Sequence, residues 1–139
     1  MNDRKKMLIV EDSPADVMLV KLALEETGVQ LDVIHLSDGQ EMLDYMRTEK
    51  ADATSFVLLD LNIPKANGID ILKKKMASDE WKWLPVIMFS SSTREDDIRQ
   101  CFTNGASAYV CKPVDFTEFN FTIQQIVRFW GQVNLLPRG

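Results

Sequence analysis

The sequence predicts an α/β protein, a doubly wound (βα)5 parallel sheet of five strands with helices on both faces. Two observations support this fold class. Five short apolar runs alternate with five segments of helical periodicity, without internal repeats or a linker. The clearest runs lack polar alternation, which is typical of parallel strands buried on both faces. Units of this kind form right-handed crossovers, so the helices cover both sides of the sheet.

The first strand is predicted over residues 6–10, and the helix after it has clear start and stop signals. Ser13 can cap this helix, and Pro14 takes the first helical position, where proline is favoured. Gly28 is expected to end it. The apolar stripe that would face the sheet consists of Val17, Val20, Ala23 and Leu24.

The second strand, residues 31–36, leads to a helix that starts at Asp38-Gly39. The third strand, residues 56–59, runs directly into Asp60 and a turn bounded by Pro64. The second helix carries Met42, Leu43 and Met46 as its apolar residues.

Asn67-Gly68 opens the third helix, whose apolar residues are Ile69, Ile71, Leu72 and Met76. The basic run at residues 73–75 is interpreted as its solvated face. Trp81 and Trp83 precede the fourth strand, and two hypotheses about them stay open. They either cover the sheet edge or stay partly exposed for a partner.

The fourth strand is predicted over residues 85–89 and the fifth over residues 108–111. Helix four spans about residues 94–104 and ends at Gly105; helix five spans residues 116–130 and ends at Gly131. The stripe of helix five that covers the sheet consists of Phe119, Ile123, Ile126 and Trp130.

Apolar residues remain beyond that stripe: Phe121, Phe129, Val133, Leu135 and Leu136. A symmetric homodimer built on helices four and five would bury them. Alternatively, the tail folds back over its own first strand or helix, or residues 137–139 form a disordered end.

Composition narrows the function classes. With 139 residues, 45% of them apolar, the chain is expected to form one domain, with a core of about residues 6–131 and a tail of residues 132–139. The net charge of −5 argues against a nucleic-acid-binding surface. No apolar stretch has the length of a signal-peptide core or a membrane span, so a cytoplasmic protein is expected. Cys101 and Cys111 are interpreted as reduced core or near-core thiols.

Polar side chains follow four of the predicted strands at the point where each strand ends. Glu11 and Asp12 follow the first, Asp60 the third, Ser90 the fourth and Lys112 the fifth. In a parallel sheet these carboxyl ends share one edge, where α/β folds place their sites. The three carboxylates would repel each other, and a bound divalent cation would offset this repulsion. Mg²⁺ is the expected cation, because it binds oxygen ligands, typically one or two carboxylates together with phosphate oxygens.

These residues resemble the receiver domain of two-component response regulators. The pieces that carry the resemblance are Val10-Glu11-Asp12, Leu59-Asp60-Leu61-Asn62-Ile63-Pro64, Asn67-Gly68, residues 85–90, Gly105-Ala106 and Tyr109-Val110-Cys111-Lys112-Pro113. Residues 11–17 and Phe129-Trp130 look most like the single-domain regulators that partner bacterial and cyanobacterial phytochromes. The resemblance implies the flavodoxin-like, CheY-like strand order 2-1-3-4-5.

The resemblance also implies a function: Asp60 accepts a phosphoryl group from a histidine kinase or phosphotransfer protein in a Mg²⁺-dependent reaction. Asp12, Asp60 and the backbone carbonyl of Asn62 would hold Mg²⁺ directly, and Glu11 through water. Lys112 and Ser90 would contact the phosphoryl group. Such a protein is a phosphoacceptor in signalling, with only self-phosphorylation and autodephosphorylation as reactions.

Further expectations concern the response to phosphorylation. Movement of Ser90 toward Asp60 would let Tyr109 rotate inward and remodel the surface of helix four, strand five and helix five, on which a downstream protein target would dock. Tyr109 is alternatively a static core aromatic. Lys112 is alternatively a plain ion-pair partner of the acids. The resemblance implies a cis bond between Lys112 and Pro113, which would aim the lysine inward.

Three other functions fit the fold class. An FMN carrier needs a hydroxyl- and glycine-rich phosphate cradle after the first strand, where this chain has Glu11-Asp12-Ser13-Pro14. A phosphohydrolase that uses an aspartyl phosphate needs an acid two residues after its nucleophile, where this chain has Asn62, which cannot act as a general base. A purely structural interaction module predicts no dependence on Mg²⁺.

Overall fold

The computed structural model describes residues 4–137, and a five-stranded parallel sheet forms its centre. The strands are β1 (Lys5–Val10), β2 (Leu31–Leu36), β3 (Thr54–Leu59), β4 (Val86–Ser90) and β5 (Ala108–Cys111). Their order is β2-β1-β3-β4-β5, and all neighbouring pairs are parallel, which confirms the predicted topology. All residues of β3 are buried, as expected for a central strand covered on both faces.

The α-helices of the described residues are α1 (Pro14–Thr27), α2 (Gly39–Thr48), α3 (Gly68–Met76), α4 (Glu95–Thr103) and α5 (Phe116–Arg128). Local signals explain their ends. The side chain of Ser13 accepts a hydrogen bond from the first turn of α1, and Asn67 forms a reciprocal capping box with Asp70. Gly28, with a φ of 72°, ends α1 in the left-handed conformation that glycine adopts without strain.

Two hydrophobic cores lie on opposite faces of the sheet. α1 and α5 cover one face with the predicted stripes, although Trp130 is only partly buried. α2, α3 and α4 cover the other face. Trp81 is buried in this second core, whereas Trp83 is 63% exposed. Each hypothesis about the tryptophans therefore holds for one of them: Trp81 covers the sheet and Trp83 is open to solvent.

The prediction that residues 73–75 form a solvated face is wrong for Lys75, which is buried. This residue lies one helical turn from Ile71 and Leu72, on the side of α3 that faces the core. Its ammonium group lies 3.8 Å from the sulfur of Met76, and burial lowers the pKa of Lys75.

The interpretation of the cysteines is confirmed for Cys101, which is fully buried, and wrong for Cys111, which is exposed. β5 pairs only with β4 and lies at the edge of the sheet, so it lacks the cover of a central strand.

The end of α5 departs from the prediction that Gly131 stops the helix. α5 ends at Arg128 and continues as a π-helical turn over Phe129–Val133, with Gly131 inside it. A Cβ atom on Gly131 would lie 2.7 Å from a terminal methyl group of Leu31, so a side chain at this position would have to displace Leu31. Leu136 then packs, partly buried, against the core formed by α2, α3 and α4. The tail thus folds back at Leu136, while residues 138 and 139 lie outside the described residues.

Candidate functional site

The predicted carboxylates meet at the carboxyl edge of the sheet. Glu11 and Asp12 follow β1, and Asp60 follows β3, the neighbouring strand. The backbone N–H of Asp60 donates to the carbonyl of Val10 at 3.0 Å, which continues the strand pairing by one residue. Oxygen atoms of Glu11, Asp12 and Asp60 consequently lie within 4.8 Å of one another.

Lys112 reaches this cluster from the end of β5. Its backbone N–H donates to the Ser90 carbonyl at 2.8 Å. Its ammonium group lies 2.5 Å from Glu11 Oε1 and 3.1 Å from Asp60 Oδ2. The third contact was not predicted from the sequence: Asp16 Oδ2 of α1 lies 2.9 Å from the same nitrogen. The signal for it was its position in the first turn of α1, which begins at the carboxyl edge just after Glu11 and Asp12.

The described residues contain no cis peptide bond, so the expectation of a cis bond between Lys112 and Pro113 is wrong. The trans form is the lower-energy isomer of a residue–proline bond. The lysine side chain is long enough to reach the acids from a trans backbone, and only 10% of it is exposed.

The charges of the cluster change its protonation behaviour. Burial by itself would lower the pKa of Lys112, but the hydrogen bonds to Glu11 and Asp16 and the charge of Asp60 raise it well above its usual range. The ammonium is therefore charged at neutral pH. Burial raises the pKa of Glu11; the hydrogen bond from Lys112 opposes this rise, and the charge of Asp60 adds to it. Such an excess of negative charge favours a divalent cation.

The oxygen atoms that could bind a metal ion differ in whether they already contact other protein groups. Both oxygens of Glu11 are engaged, since Oε1 contacts Lys112 and Oε2 accepts the Ser13 N–H at 3.1 Å. Asp12 is exposed and has no protein partner within residues 4–137. The N–H of Asn62 donates to Asp60 Oδ1 at 3.3 Å, which brings the residue 62 backbone beside the carboxylate. This oxygen-rich donor set fits Mg²⁺, with Asp12 free to bind directly and Glu11 better suited to contact through water.

Ser90 and Tyr109 are joined by the backbone of Ser92. The fully buried Ser90 hydroxyl accepts the Ser92 N–H at 3.1 Å, and the hydroxyl of Tyr109 donates to the Ser92 carbonyl at 2.8 Å. The Ser92 hydroxyl donates to Asp97 of α4 at 2.6 Å. The role of Ser92 was not predicted from the sequence, because a serine in a polar loop after a strand does not by itself indicate a function.

His35, the chain's sole histidine, supports the site from β2. Its Nε2 lies 2.8 Å from the carbonyl oxygen of Glu11. Because a carbonyl only accepts hydrogen bonds, Nε2 carries the hydrogen. This contact fixes the peptide that precedes Asp12 and was not predicted from the sequence.

Residues 7–124 match the family model for the response regulator receiver domain. The chain is 34% identical over 134 residues to the probable methanogenesis regulatory protein FilR2 of Methanothrix harundinacea, covering 94% of this chain and 86% of that protein.

Solved structures of response regulators have the same fold as this chain. The phosphorylated cyanobacterial phytochrome response regulator RcpA superimposes with a TM-score of 0.89 at 32% identity, covering 96% of this chain and 99% of that one. The Mn²⁺-bound form of response regulator Rcp1 gives a TM-score of 0.88 at 28% identity, with the same coverage of both chains. Receiver domains are signalling proteins rather than conventional enzymes. The chain belongs to the response regulator receiver domain family, and its structural neighbours include phytochrome response regulators.

Proposed function

We propose that this protein is a single-domain response regulator that accepts a phosphoryl group on Asp60 from a histidine kinase or phosphotransfer protein. The observation that carries the proposal is the position of Asp60. Its carboxylate lies at the sheet edge, 10% exposed, with one oxygen on the Lys112 ammonium and the acids of β1 beside it. A carboxylate flanked by a fixed cation and a metal-binding cluster suits attack on phosphorus.

Asp12, Asp60 and the backbone carbonyl of Asn62 would hold Mg²⁺, with Glu11 contacting it through water. The free carboxylate of Asp12 and the engaged oxygens of Glu11 support this division. When bound, the ion supplies positive charge that offsets the phosphoryl oxygens. No helix in the described residues has the length and apolar character to cross a membrane.

In the transfer, an Asp60 oxygen forms a bond to phosphorus while the bond from phosphorus to the donor histidine nitrogen breaks. The nitrogen keeps the electron pair. Lys112 stays protonated and donates to one phosphoryl oxygen, and the Ser90 hydroxyl donates to another. These steps need positioning and charge neutralisation rather than proton transfer by the protein.

The Ser90–Ser92–Tyr109 connection is the proposed route from the phosphoryl group to the surface of α4, β5 and α5. If Ser90 turns toward the phosphoryl group, the hydrogen bond it accepts from Ser92 is lost. Ser92 also binds Tyr109 and Asp97, so its shift changes both β5 and α4. A downstream protein would read this surface.

We further infer the partners. The phytochrome response regulators among the structural neighbours support a phytochrome-type histidine kinase as the phosphoryl donor. Exposed apolar side chains on α5 and the turn after it support a homodimer; they include Phe121 at 64%, Phe129 at 47% and Val133 at 63% exposure.

The test is phosphorylation with acetyl phosphate, with and without Mg²⁺, followed by intact mass. The wild type should gain one base-labile phosphoryl group only with Mg²⁺, and Asp60→Asn should gain none. Asp52→Asn, which changes an exposed acid away from the site, is the matched control and should behave as wild type. Labelling without Mg²⁺, or labelling of Asp60→Asn, would contradict the proposal. Incubation with candidate histidine kinases and labelled ATP then identifies the donor.

A further inference from the structure

Asp16 lies outside the proposed metal-binding set, yet it contacts the lysine of the site. Its Oδ2 lies 2.9 Å from Lys112 Nζ, and 27% of its side chain is exposed. The backbone N–H of Asp16 donates to the Ser13 side chain at 3.3 Å, which fixes this residue in the first turn of α1. The carboxylate is therefore held beside Lys112 by a capped helix.

The contacts of Lys112 match the number of hydrogens on its ammonium. An ammonium has three N–H donors and no acceptor. Its carboxylate partners are Glu11, Asp16 and Asp60, at 2.5, 2.9 and 3.1 Å. Because the hydrogens are arranged tetrahedrally, bonds to two partners determine where the third hydrogen points. Glu11 and Asp16 together aim that hydrogen at Asp60.

We propose that Asp16 is a positioning residue, which orients Lys112 toward the phosphoryl oxygen that forms on Asp60. The proposal rests on the function proposed above. In the phosphorylated protein the third hydrogen bond moves from Asp60 Oδ2 to a phosphoryl oxygen, while the bonds to Glu11 and Asp16 stay. Without Asp16 the ammonium keeps one fixed partner and rotates about its Cε–Nζ bond, so fewer encounters with the donor are productive.

If Asp16 held Lys112 away from the phosphoryl group, its removal would have the opposite effect on the phosphorylation rate. If Asp16 merely competed for Lys112, its removal would free the lysine and speed phosphorylation. The longest contact is to Asp60 and the two shorter ones are to Glu11 and Asp16, which hold the nitrogen between them. This arrangement favours orientation.

The first experiment measures phosphorylation by acetyl phosphate at saturating Mg²⁺ in Asp16→Ala, Asp16→Asn and Asp16→Glu. We expect the maximal rate of Asp16→Ala to fall about tenfold, which corresponds to ~1.4 kcal/mol. The donor concentration at half-maximal rate should stay near the wild-type value. Asp16→Asn retains the side-chain shape and an acceptor oxygen, so its loss should be smaller, and Asp16→Glu should recover part of the rate. Glu25→Gln removes an acid from the same helix without touching Lys112 and should leave the rate unchanged.

The second experiment observes the ammonium directly by ¹⁵N-resolved NMR of metal-free protein, with Lys112→Arg assigning the signal. A lysine ammonium held on three carboxylates exchanges its hydrogens slowly, so the wild type and Glu25→Gln should show the Lys112 signal. Asp16→Ala should lose it through faster exchange.

Equal or faster phosphorylation of Asp16→Ala, or an unchanged ammonium signal, would overturn the role of Asp16. A wild type that acetyl phosphate does not label would instead overturn the proposed function, and the NMR signal would still decide whether Asp16 fixes Lys112.

Discussion

At the scale of single residues, the site is organised around Lys112. Its backbone extends the pairing of β5 with β4, and its side chain crosses the carboxyl edge to acids that follow β1 and β3. Its interactions are charge-assisted, whereas the Ser90 hydroxyl makes a neutral hydrogen bond with Ser92. Lys112 should therefore stabilise the phosphorylated state more than Ser90 does.

Lys112→Ala should weaken phosphorylation-dependent binding of a target protein more than Ser90→Ala does. Charge-assisted hydrogen bonds contribute about 1.5–3 kcal/mol and neutral ones about 0.5–1.5 kcal/mol. The loss of Lys112 also leaves the buried acid Glu11 and the partly buried acid Asp16 without their shared cation. Binding is measured with and without beryllofluoride, with unfolding by denaturant as the control for stability. Equal and negligible effects of both variants would contradict the assigned roles.

The two cysteines should differ in reactivity. Burial, together with the charge of Asp97, raises the pKa of Cys101 to about 11, so its thiol stays protonated at mildly alkaline pH. Cys111 is exposed on the edge strand. A thiol reagent should modify Cys111 alone in the native protein and both cysteines after unfolding. Modification of Cys101 in native Cys111→Ser would contradict its burial.

At the scale of elements, the start of α2 is joined to the loop after β3. The N–H of Gly39 donates to the Pro64 carbonyl at 3.0 Å, and Lys65, with a φ of 74°, pairs with the capping Asp38 at 3.4 Å. A Cβ atom on Gly39 would lie 1.9 Å from the Ala66 backbone oxygen. The hydrogen bond to Pro64 and the ion pair between Lys65 and Asp38 keep α2 close to the loop that begins at Asp60.

Gly39→Ala should destabilise the protein by about 3 kcal/mol or more, because overpacking against backbone cannot be relieved by a side-chain rotation. Gly28→Ala provides the comparison. There is open space around Gly28, and only its φ of 72° opposes a side chain, so about 1 kcal/mol is expected. Denaturant unfolding of both variants measures the difference. If Gly39→Ala lowered the free energy of unfolding less than Gly28→Ala, the loop after β3 would have to move easily to accommodate the added Cβ atom.

At the scale of the whole molecule, α5 and the segment after it connect the two faces of the sheet. α5 covers one face together with α1, where the Gln124 amide donates to Glu26 at 3.2 Å. The π-helical turn then passes β2 and β3, and Leu136 reaches the core on the other face. The apolar side chains left exposed on α5 and this turn are those that a second copy of the chain could cover.

The wild type should sediment as a dimer in analytical ultracentrifugation, and Phe121→Ser combined with Phe129→Ser should shift it to monomer. Both side chains are about half exposed or more, so their loss should cost the monomer little stability. Trp83→Ser is the matched control, since it removes an exposed aromatic that is not on α5. A wild type that stays monomeric at micromolar concentrations, with and without beryllofluoride, would refute the dimer.

Truncation is a less clean test of the same interface. A chain that stops after Gly131 loses the packing of Leu136 together with the exposed Val133 and Leu135, so changes in stability and assembly would be mixed.

The sequence by itself determined the elements and the meeting of their polar ends. Apolar runs without alternation predicted the buried strands, and Ser13, Gly28 and Asn67 set helix ends through contacts with residues a few positions away. Such signals are local, so they can be read from neighbouring residues. The strand order came from the resemblance to receiver domains rather than from periodicity.

Only the tertiary structure decided contacts between residues that are distant in sequence. Asp16 and Lys112 meet across 96 positions, because α1 begins and β5 ends at the same edge of the sheet. The burial of Lys75, the exposure of Cys111 and the return of Leu136 to the core depend in the same way on which element lies over each side chain. Burial of a side chain is a property of the packed elements, and residue type and spacing constrain it only on average.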